Sequence, residues 1–372
     1  MKNIGEMTEA PQQGIPVRNL WHMLLYAWDK LRYIHRWSVE AEAAPTLDAL
    51  LSVVLADLMQ QRMRVGIGRD YRKHNDVIRG IRGRIDFSDS LRRLAFQHGK
   101  ASCRFETFSE NVPRNQVIRS TLARLALTGG FGGNTVDAQT LRHRLRVLVQ
   151  AVGTVDLIDL HPEKIRRLQM QRHDADYRVM LALCHLVAQR QMPTELLGHE
   201  TVPGLNRDAM TLYRVFEKFV ASFFKFHLKR WKVASQAQFS WPASASSQYL
   251  PKLVPDVVLT HRANGDVVIL DTKFTAGVLS QGQWGNLRFN RDHLFQIYAY
   301  VRSQEHLSAN HQAATGILLY PTVGHSVSET IELQGHKICW RTIDLMLEWP
   351  EIENKLLAII SEHELAATVD HE

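Results

Sequence analysis

The stretch LVPDVVLTHRANGDVVILDTKF, residues 253–274, sets two β-branched apolar runs on either side of an Asn-Gly pair. Asn-Gly between such runs predicts a hairpin with a type I′ turn, because that turn needs φ > 0 at both central residues. With Asn264 and Gly265 as the turn, Ala263 faces Asp266, Val258 faces Asp271 and Asp256 faces Lys273. Opposed residues share a face, as do residues two apart on one strand, so Asp256, Asp271 and Lys273 are expected on one side of the sheet. Their Cβ atoms would then lie roughly 4.5 to 8 Å apart. Two carboxylates at that separation can hold one divalent cation, with an ammonium beside it. Both strands are apolar on alternating faces and should be buried, and buried charges are rare unless they are paired or bind metal.

The chain around this stretch has 372 residues, enough for two domains with separate cores. Hydrophobic content of 45% and charged content of 22% are those of a globular protein. The net charge of +7 points toward a polyanionic partner. Cys103, Cys184 and Cys339 are far apart with no CxxC pair, which argues against a zinc knuckle or a disulfide framework and fits a reducing cytoplasm. The opening MKNIGEMTEAPQQG has no apolar core of a signal peptide, and no run reaches the ~18 apolar residues of a membrane helix. A cytoplasmic protein without a membrane partner is expected. No GK[ST] follows any glycine run, so the chain should not hydrolyse nucleotide by itself.

Helical spacing is expected over 15–29, 46–63, 115–127, 138–152, 174–192, 207–230 and 291–304, and strands over 236–241 and 314–321. TGGFGGN (128–134) reads as a loop between helices, and a Ser-rich loop (243–248) and a Gly/Gln/Asn-rich loop (276–290) flank the opening hairpin. Residues 64–87 are strand-like and basic, with Arg64, Arg69, Arg72, Lys73, Arg79, Arg82 and Arg84 against Asp70, Asp76 and Asp86. They could form a basic hairpin that touches DNA, one that touches a protein, or a solvated edge. The second half alternates helix and strand in a way that predicts a mixed sheet covered by helices.

Two helices add candidates. Glu217 lies at the edge of the apolar arc Phe216, Phe219, Val220, Phe223 and Phe224. It is either a surface carboxylate paired with Arg214 or a carboxylate leaning over the sheet. Gln296 and Tyr300 are four apart and share a face distinct from the stripe Leu294, Ile297, Tyr298 and Val301. They form a polar outer face, or a pair that positions a phosphate or a water.

Pro255-Asp256, Asp271-Thr272-Lys273, Gln296 and Tyr300 resemble the PD-(D/E)XK nuclease signature with a RecB-type Gln-x-x-x-Tyr helix. IPVRNLWHMLLYAWD, VIRGIRGRIDFSDSLRR, NQVIRSTLARL, ILLYPTVG and LEWPEI resemble the McrC family, the endonuclease subunit of the modified-cytosine restriction system McrBC, from about residue 15 to about 360. One departure is Asp271, where many nucleases of the superfamily carry Glu. The resemblance implies an N-terminal mixed α-β domain (1–165) docking on an AAA+ GTPase hexamer of the McrB type. It implies a C-terminal restriction-endonuclease-like α/β/α domain (166–372) with a mixed sheet. The partner would bind GTP and recognise modified cytosine in double-stranded DNA, and the 64–84 stretch is the candidate for contact with its ring.

The implied cofactor is Mg²⁺, with Asp256 and Asp271 as direct ligands, the Thr272 carbonyl as a further oxygen and Glu217 acting directly or through water. Lys273 would orient the attacking water or neutralise the phosphate, Gln296 would support the water or the scissile phosphate, and Tyr300 would sit against the DNA side of the strand. A stand-alone RecB-like nuclease and a GTPase-activating adaptor without nuclease activity are the competing readings.

Overall fold

The computed structural model describes residues 15–31, 36–133, 135–168, 175–190, 207–242, 247, 249–274, 278–281, 287–322 and 326–369. Helix α1 (Val17–Ala27) buries Leu20, Trp21, Met23, Leu24, Leu25 and Tyr26, and α2 (Ser38–Ala43) follows it. The chain then divides into two compact units: Met1–Ala43 with Leu197–Glu372, and Ala44–Leu196. This differs from a boundary at 165. The reason lies partly in α1, where buried Asn19 donates from Nδ2 to the carbonyls of Leu345 (2.8 Å) and Leu347 (2.9 Å). Tyr26 also packs edge-on against Phe219, with ring centroids 5.6 Å apart. Helix α1 therefore completes the core of the C-terminal unit.

The unit Ala44–Leu196 holds α3 (Leu47–Val65), β1 (Asp70–Arg79), β2 (Arg84–Ile85), α4 (Phe87–Arg92), β3 (Lys100–Ser109), α5 (Pro113–Thr128), α6 (Val136–Ala151), α7 (Pro162–Arg166) and α8 (Ala175–Arg190). Thr46 caps α3 by accepting from the Ala49 N–H, as a threonine before an apolar helical run should. Helices α3, α5, α6 and α8 pack together, which is why residues 175–190 belong here and not with the C-terminal sheet. The basic segment is not a hairpin. β1 and β2 both pair with β3, giving the order β1-β3-β2. Gly83 (φ +67°) makes this possible, since a Cβ there would lie 2.3 Å from the Arg104 carbonyl oxygen. The loop expected at 128–134 does run between α5 and α6, beginning at 129 because Thr128 still belongs to α5; Asn134 lies outside the described residues.

The other unit continues with α9 (Arg207–His227), β4 (Trp231–Ser235), β5 (Val257–His261), β6 (Val267–Thr272), β7 (Leu279–Gln281), β8 (Leu287–Phe289), α10 (Arg291–Ser303), α11 (Ala309–Gln312), β9 (Thr315–Thr322), β10 (Ser328–Leu333), β11 (His336–Asp344) and α12 (Trp349–Val369). Its main sheet has six strands in the order β10-β11-β9-β6-β5-β4. β6, β9 and β11 run parallel, and the remaining neighbours are antiparallel, so the sheet is mixed. Every residue of central β6 is buried. Helix α10 lies on the sheet face that carries Ile269, Leu318 and Ile338, and adds Ile297 and Val301 to that core.

Two local expectations change. The strand expected over 236–241 lies earlier, at 231–235, because Gln236 takes φ +54° and ends the extended run. Beyond it, among the described residues, only Phe239 bridges, to Leu253. Residues 243–246 and 248 of the Ser-rich loop, and 275–277 and 282–286 around the Gly/Gln/Asn-rich loop, lie outside the described residues; the described part of the latter forms the β7–β8 ribbon. No described helix is long and apolar enough to cross a membrane.

Candidate active site

The β5–β6 hairpin turns through four residues, Arg262 to Gly265, not two. The His261 N–H donates to the Asp266 carbonyl at 2.8 Å and the Gly265 N–H to the His261 carbonyl at 3.0 Å. Of the pair Asn264-Gly265, only Gly265 has positive φ, at 79°. Asn264 is held otherwise: its Oδ1 lies 2.6 Å from His261 Nδ1 and accepts from the Asp266 N–H at 3.1 Å. The strand register is therefore shifted by two from the expected one, with Val257 opposite Leu270 and Val258 opposite Ile269. Continued by one residue, it sets Asp256 opposite Asp271 instead of Lys273. A shift of two leaves every side chain on its original face, so the two carboxylates come closer without leaving their side.

Asp256 and Asp271 are 6% and 2% exposed, burial that a carboxylate tolerates only with partners. Asp256 Oδ2 accepts from the Thr272 N–H (2.8 Å) and hydroxyl (2.6 Å). Lys273 Nζ stands 2.5 Å from Asp271 Oδ2. The approach is an ion pair off the hydrogen-bonding direction, and buried Oδ2 accepts no well-formed hydrogen bond among the described residues. Lys273 Nζ donates instead to Gln296 Oε1 at 2.5 Å, Gln296 Nε2 donates to the Tyr300 hydroxyl at 2.7 Å, and that hydroxyl reaches the Val254 carbonyl at 3.3 Å. The chain Asp271–Lys273–Gln296–Tyr300 ties α10 to the ends of both hairpin strands.

Glu217 bonds neither of the aspartates. It accepts from Gln236 Nε2 at 2.5 Å, and the Gln236 N–H donates to the Asp256 carbonyl at 3.1 Å. Gln236 thus links the α9 carboxylate to the strand that carries Asp256.

The electrostatics describe one cluster. Burial raises the Asp271 pKa to about 6; the Lys273 charge opposes this and the Asp256 charge adds to it. Burial also raises Asp256, against the Thr272 hydrogen bonds and Lys273. Glu217 is raised by burial and then by the charge on Asp256. Tyr213, one helical turn before Glu217, is pushed up by burial and then by Asp256, Glu217 and Asp271, which sets its ring among the same carboxylates. Tyr300 is pushed up to about 12 by burial and Asp271.

Among the described residues, no three His, Cys, Asp or Glu side chains converge as a ready metal cage. Asp256 and Asp271 still fit one hard cation, as an opposed pair of buried carboxylate donors, one of them already paired with Lys273. Such oxygen-poor sites suit a cation that keeps several waters. The Thr272 side chain is fully buried and spent on Asp256, so its carbonyl is the only further oxygen that residue offers.

Residues not anticipated are Tyr213, Gln236, His293 and Tyr320. Tyr213 and His293 carried a signal, four before Glu217 and three before Gln296 on the same helix faces. Gln236 carried none, since its backbone conformation is set by the fold.

A family model described as McrBC 5-methylcytosine restriction system component matches residues 6–321. The type IV methyl-directed restriction enzyme EcoKMcrBC of Escherichia coli (strain K12) is 28% identical over 354 residues, covering 95% of this chain and 99% of that relative. Among solved structures, a refined half-complex from the tetradecameric assembly of Thermococcus gammatolerans McrB AAA+ hexamers with bound McrC matches with a TM-score of 0.51. That match covers 93% of this chain and 76% of the other at 16% identity, a likeness of fold.

Proposed function

We propose that this chain, which belongs to the McrBC 5-methylcytosine restriction system component family, is the nuclease subunit of a GTP-dependent restriction system that cuts DNA carrying modified cytosine. The observation that carries this reading is the opposition of Asp256 and Asp271 at the buried end of a hairpin, with Lys273 Nζ 2.5 Å from Asp271. Paired carboxylates followed by a lysine, on a mixed sheet flanked by a Gln-x-x-x-Tyr helix, are the parts of a PD-(D/E)XK centre for phosphodiester hydrolysis.

Asp256 and Asp271 would hold the cation, Mg²⁺, with the Thr272 carbonyl as a further oxygen and Glu217 contributing directly or through water. A bound Mg²⁺ supplies positive charge at the phosphate and acidifies water. Lys273 is held by Gln296 and by the charge of Asp271, and presents its remaining donor capacity to the attacking water and the phosphate. Gln296 and Tyr300 keep that ammonium aimed; Tyr300 is itself buried, with its hydroxyl held by Gln296 and the Val254 carbonyl, so its part is to position Gln296 and not to touch DNA. Tyr213 covers the carboxylates from α9.

The unit Ala44–Leu196 docks on a GTPase ring of the McrB type and stimulates it, with the basic residues of 64–84 as the contact. The solved relative, an McrB AAA+ hexamer with McrC bound, supports this assembly. GTP and the reading of modified cytosine belong to that partner.

The test is cleavage of cytosine-methylated plasmid by this chain with its cognate GTPase, GTP and Mg²⁺, wild type against Asp271→Ala. Cutting by wild type only, with GTP hydrolysis kept in the variant, supports the reading. Equal cutting by both proteins overturns it.

A further inference from the structure

The polar face of α10 does not end at Gln296. His293, three residues earlier, lies on the same helical face as Gln296 and Tyr300. Its Nδ1 is 2.9 Å from the hydroxyl of Tyr320. Tyr320 belongs to β9, where Asp271 pairs with Leu318 and Thr272 with Leu319. One step further in that register brings Tyr320 beside Lys273. The His293–Tyr320 pair therefore flanks the lysine on the side away from Gln296's partner Tyr300.

The direction of this hydrogen bond follows from burial. Tyr320 is 0% exposed, and its hydroxyl has no other hydrogen-bond partner among the described residues. If the imidazole donated, the phenolic proton would be buried with no acceptor, which is the costly way to leave a polar group. Tyr320 therefore donates, Nδ1 accepts, and the ring proton sits on Nε2. Among the described residues that Nε2–H has no partner, although the ring is only half-buried. Burial and the charge of Lys273 hold the His293 pKa near 4, so the ring is a neutral donor beside a cation and does not repel it.

We infer that His293 is a substrate-contacting residue of this centre, its Nε2–H fixed by Tyr320 and donating to a non-bridging oxygen of the DNA phosphate next to Lys273. The inference rests on the nuclease reading above and deepens it: Lys273 supplies charge to the phosphate, and His293 supplies a directed hydrogen bond. Tyr320 is a positioning residue, acting only through the ring.

The experiment uses the chain in complex with its cognate GTPase, with GTP, Mg²⁺ and cytosine-methylated DNA, under single-turnover conditions. His293→Ala is expected to slow cleavage about a hundredfold, as loss of a preorganised donor does, with GTP hydrolysis at the wild-type rate. His293→Gln, whose carboxamide also donates, is expected to recover part of that loss. Tyr320→Phe is expected to slow cleavage about threefold to tenfold, and to add nothing when His293 is already alanine. In the free chain, ¹⁵N NMR of the imidazole should show a protonated Nε2 and a bare Nδ1, and both tautomers in Tyr320→Phe. This measurement tests the fixed Nε2–H on which the contact depends, and a bare Nε2 overturns the inference even if the alanine variant fails to fold.

Cleavage by His293→Ala at the wild-type rate, a glutamine variant as slow as the alanine one, or a proton on Nδ1 would each overturn the inference. Asp271→Ala run alongside separates the two readings. If it is inactive while His293→Ala cuts normally, only the histidine assignment fails; if it cuts, the nuclease reading fails with it.

Discussion

Lys273 Nζ and Asp271 Oδ2 stand 2.5 Å apart, 13% and 3% exposed at their side chains, so a lysine two residues along is the counter-charge of a buried aspartate. Breaking such a pair by removing one partner costs about 3–5 kcal/mol, because the remaining charge is left buried. In Lys273→Met that cost should depend on pH. The Asp271 pKa, about 6 with the lysine present, rises further without it. A carboxylate whose folded pKa lies above its unfolded value contributes no penalty at low pH and loses stability as pH rises through the folded value. Melts of Lys273→Met should match wild type near pH 4 and fall increasingly below it by pH 8. A deficit that is the same at every pH would mean the lysine does not face a charged Asp271.

The same burial governs the metal. Cation and proton compete for Asp271, so cleavage should rise with pH through a midpoint at or below about 6. Raising Mg²⁺ should move the midpoint to lower pH, since the cation binds only the deprotonated carboxylate. Single-turnover rates at several Mg²⁺ concentrations test this. A midpoint indifferent to Mg²⁺ would assign the titration to another group. Asp271→Asn should remove the rising limb together with the activity.

The hairpin shows how far local pattern carries. Period-two alternation through VVILDT placed Asp271 and Lys273 on one side, and that survives although the turn is longer than Asn-Gly implies. A register error of two is invisible to a face argument, whereas an error of one would have inverted it. Turn length was the weak point, because Asn264 can close an Asx-type turn as readily as occupy a left-handed position. The mixed sheet was legible in the order of apolar runs. The division of the chain was not, since the contacts that draw α1 to the C-terminal unit, Asn19 to Leu345 and Tyr26 to Phe219, join residues hundreds of positions apart. Helical spacing reaches Tyr213 and His293; nothing in the sequence reaches Gln236.

Gln236 gives a separation of stability from activity. At φ +54° it holds a conformation costly for any residue but glycine, and its side chain donates to Glu217. Gln236→Gly should leave the stability unchanged or raise it by at most about 1 kcal/mol of relieved strain. Cleavage should fall about tenfold, because Glu217 loses its donor and the link to the Asp256 strand. Thermal melts with single-turnover cleavage would check both halves. Unchanged cleavage would show that Glu217 needs no such clamp.

Gly316 tests whether the position of α10 matters to the site. It lies on β9 between Ile269 and Ile338, directly beneath the helix. A Cβ there would stand 2.8 Å from Ile297 Cγ1 and 3.0 Å from Ile338 Cδ1. Gly316→Ala therefore lifts the turn that carries Gln296 and lengthens its bond to Lys273, at a stability cost of about 1–3 kcal/mol for overpacking. Cleavage should fall more steeply than stability, since a small misplacement at the reacting group has a large effect on rate. The clash is with Ile297, so Ile297→Ala should cost less in the Gly316→Ala background than in wild type, a coupling that a double-mutant cycle reads directly. Additive melting losses would mean the helix absorbs the methyl elsewhere. Wild-type cleavage by Gly316→Ala would show that the Lys273–Gln296 contact tolerates movement of the helix.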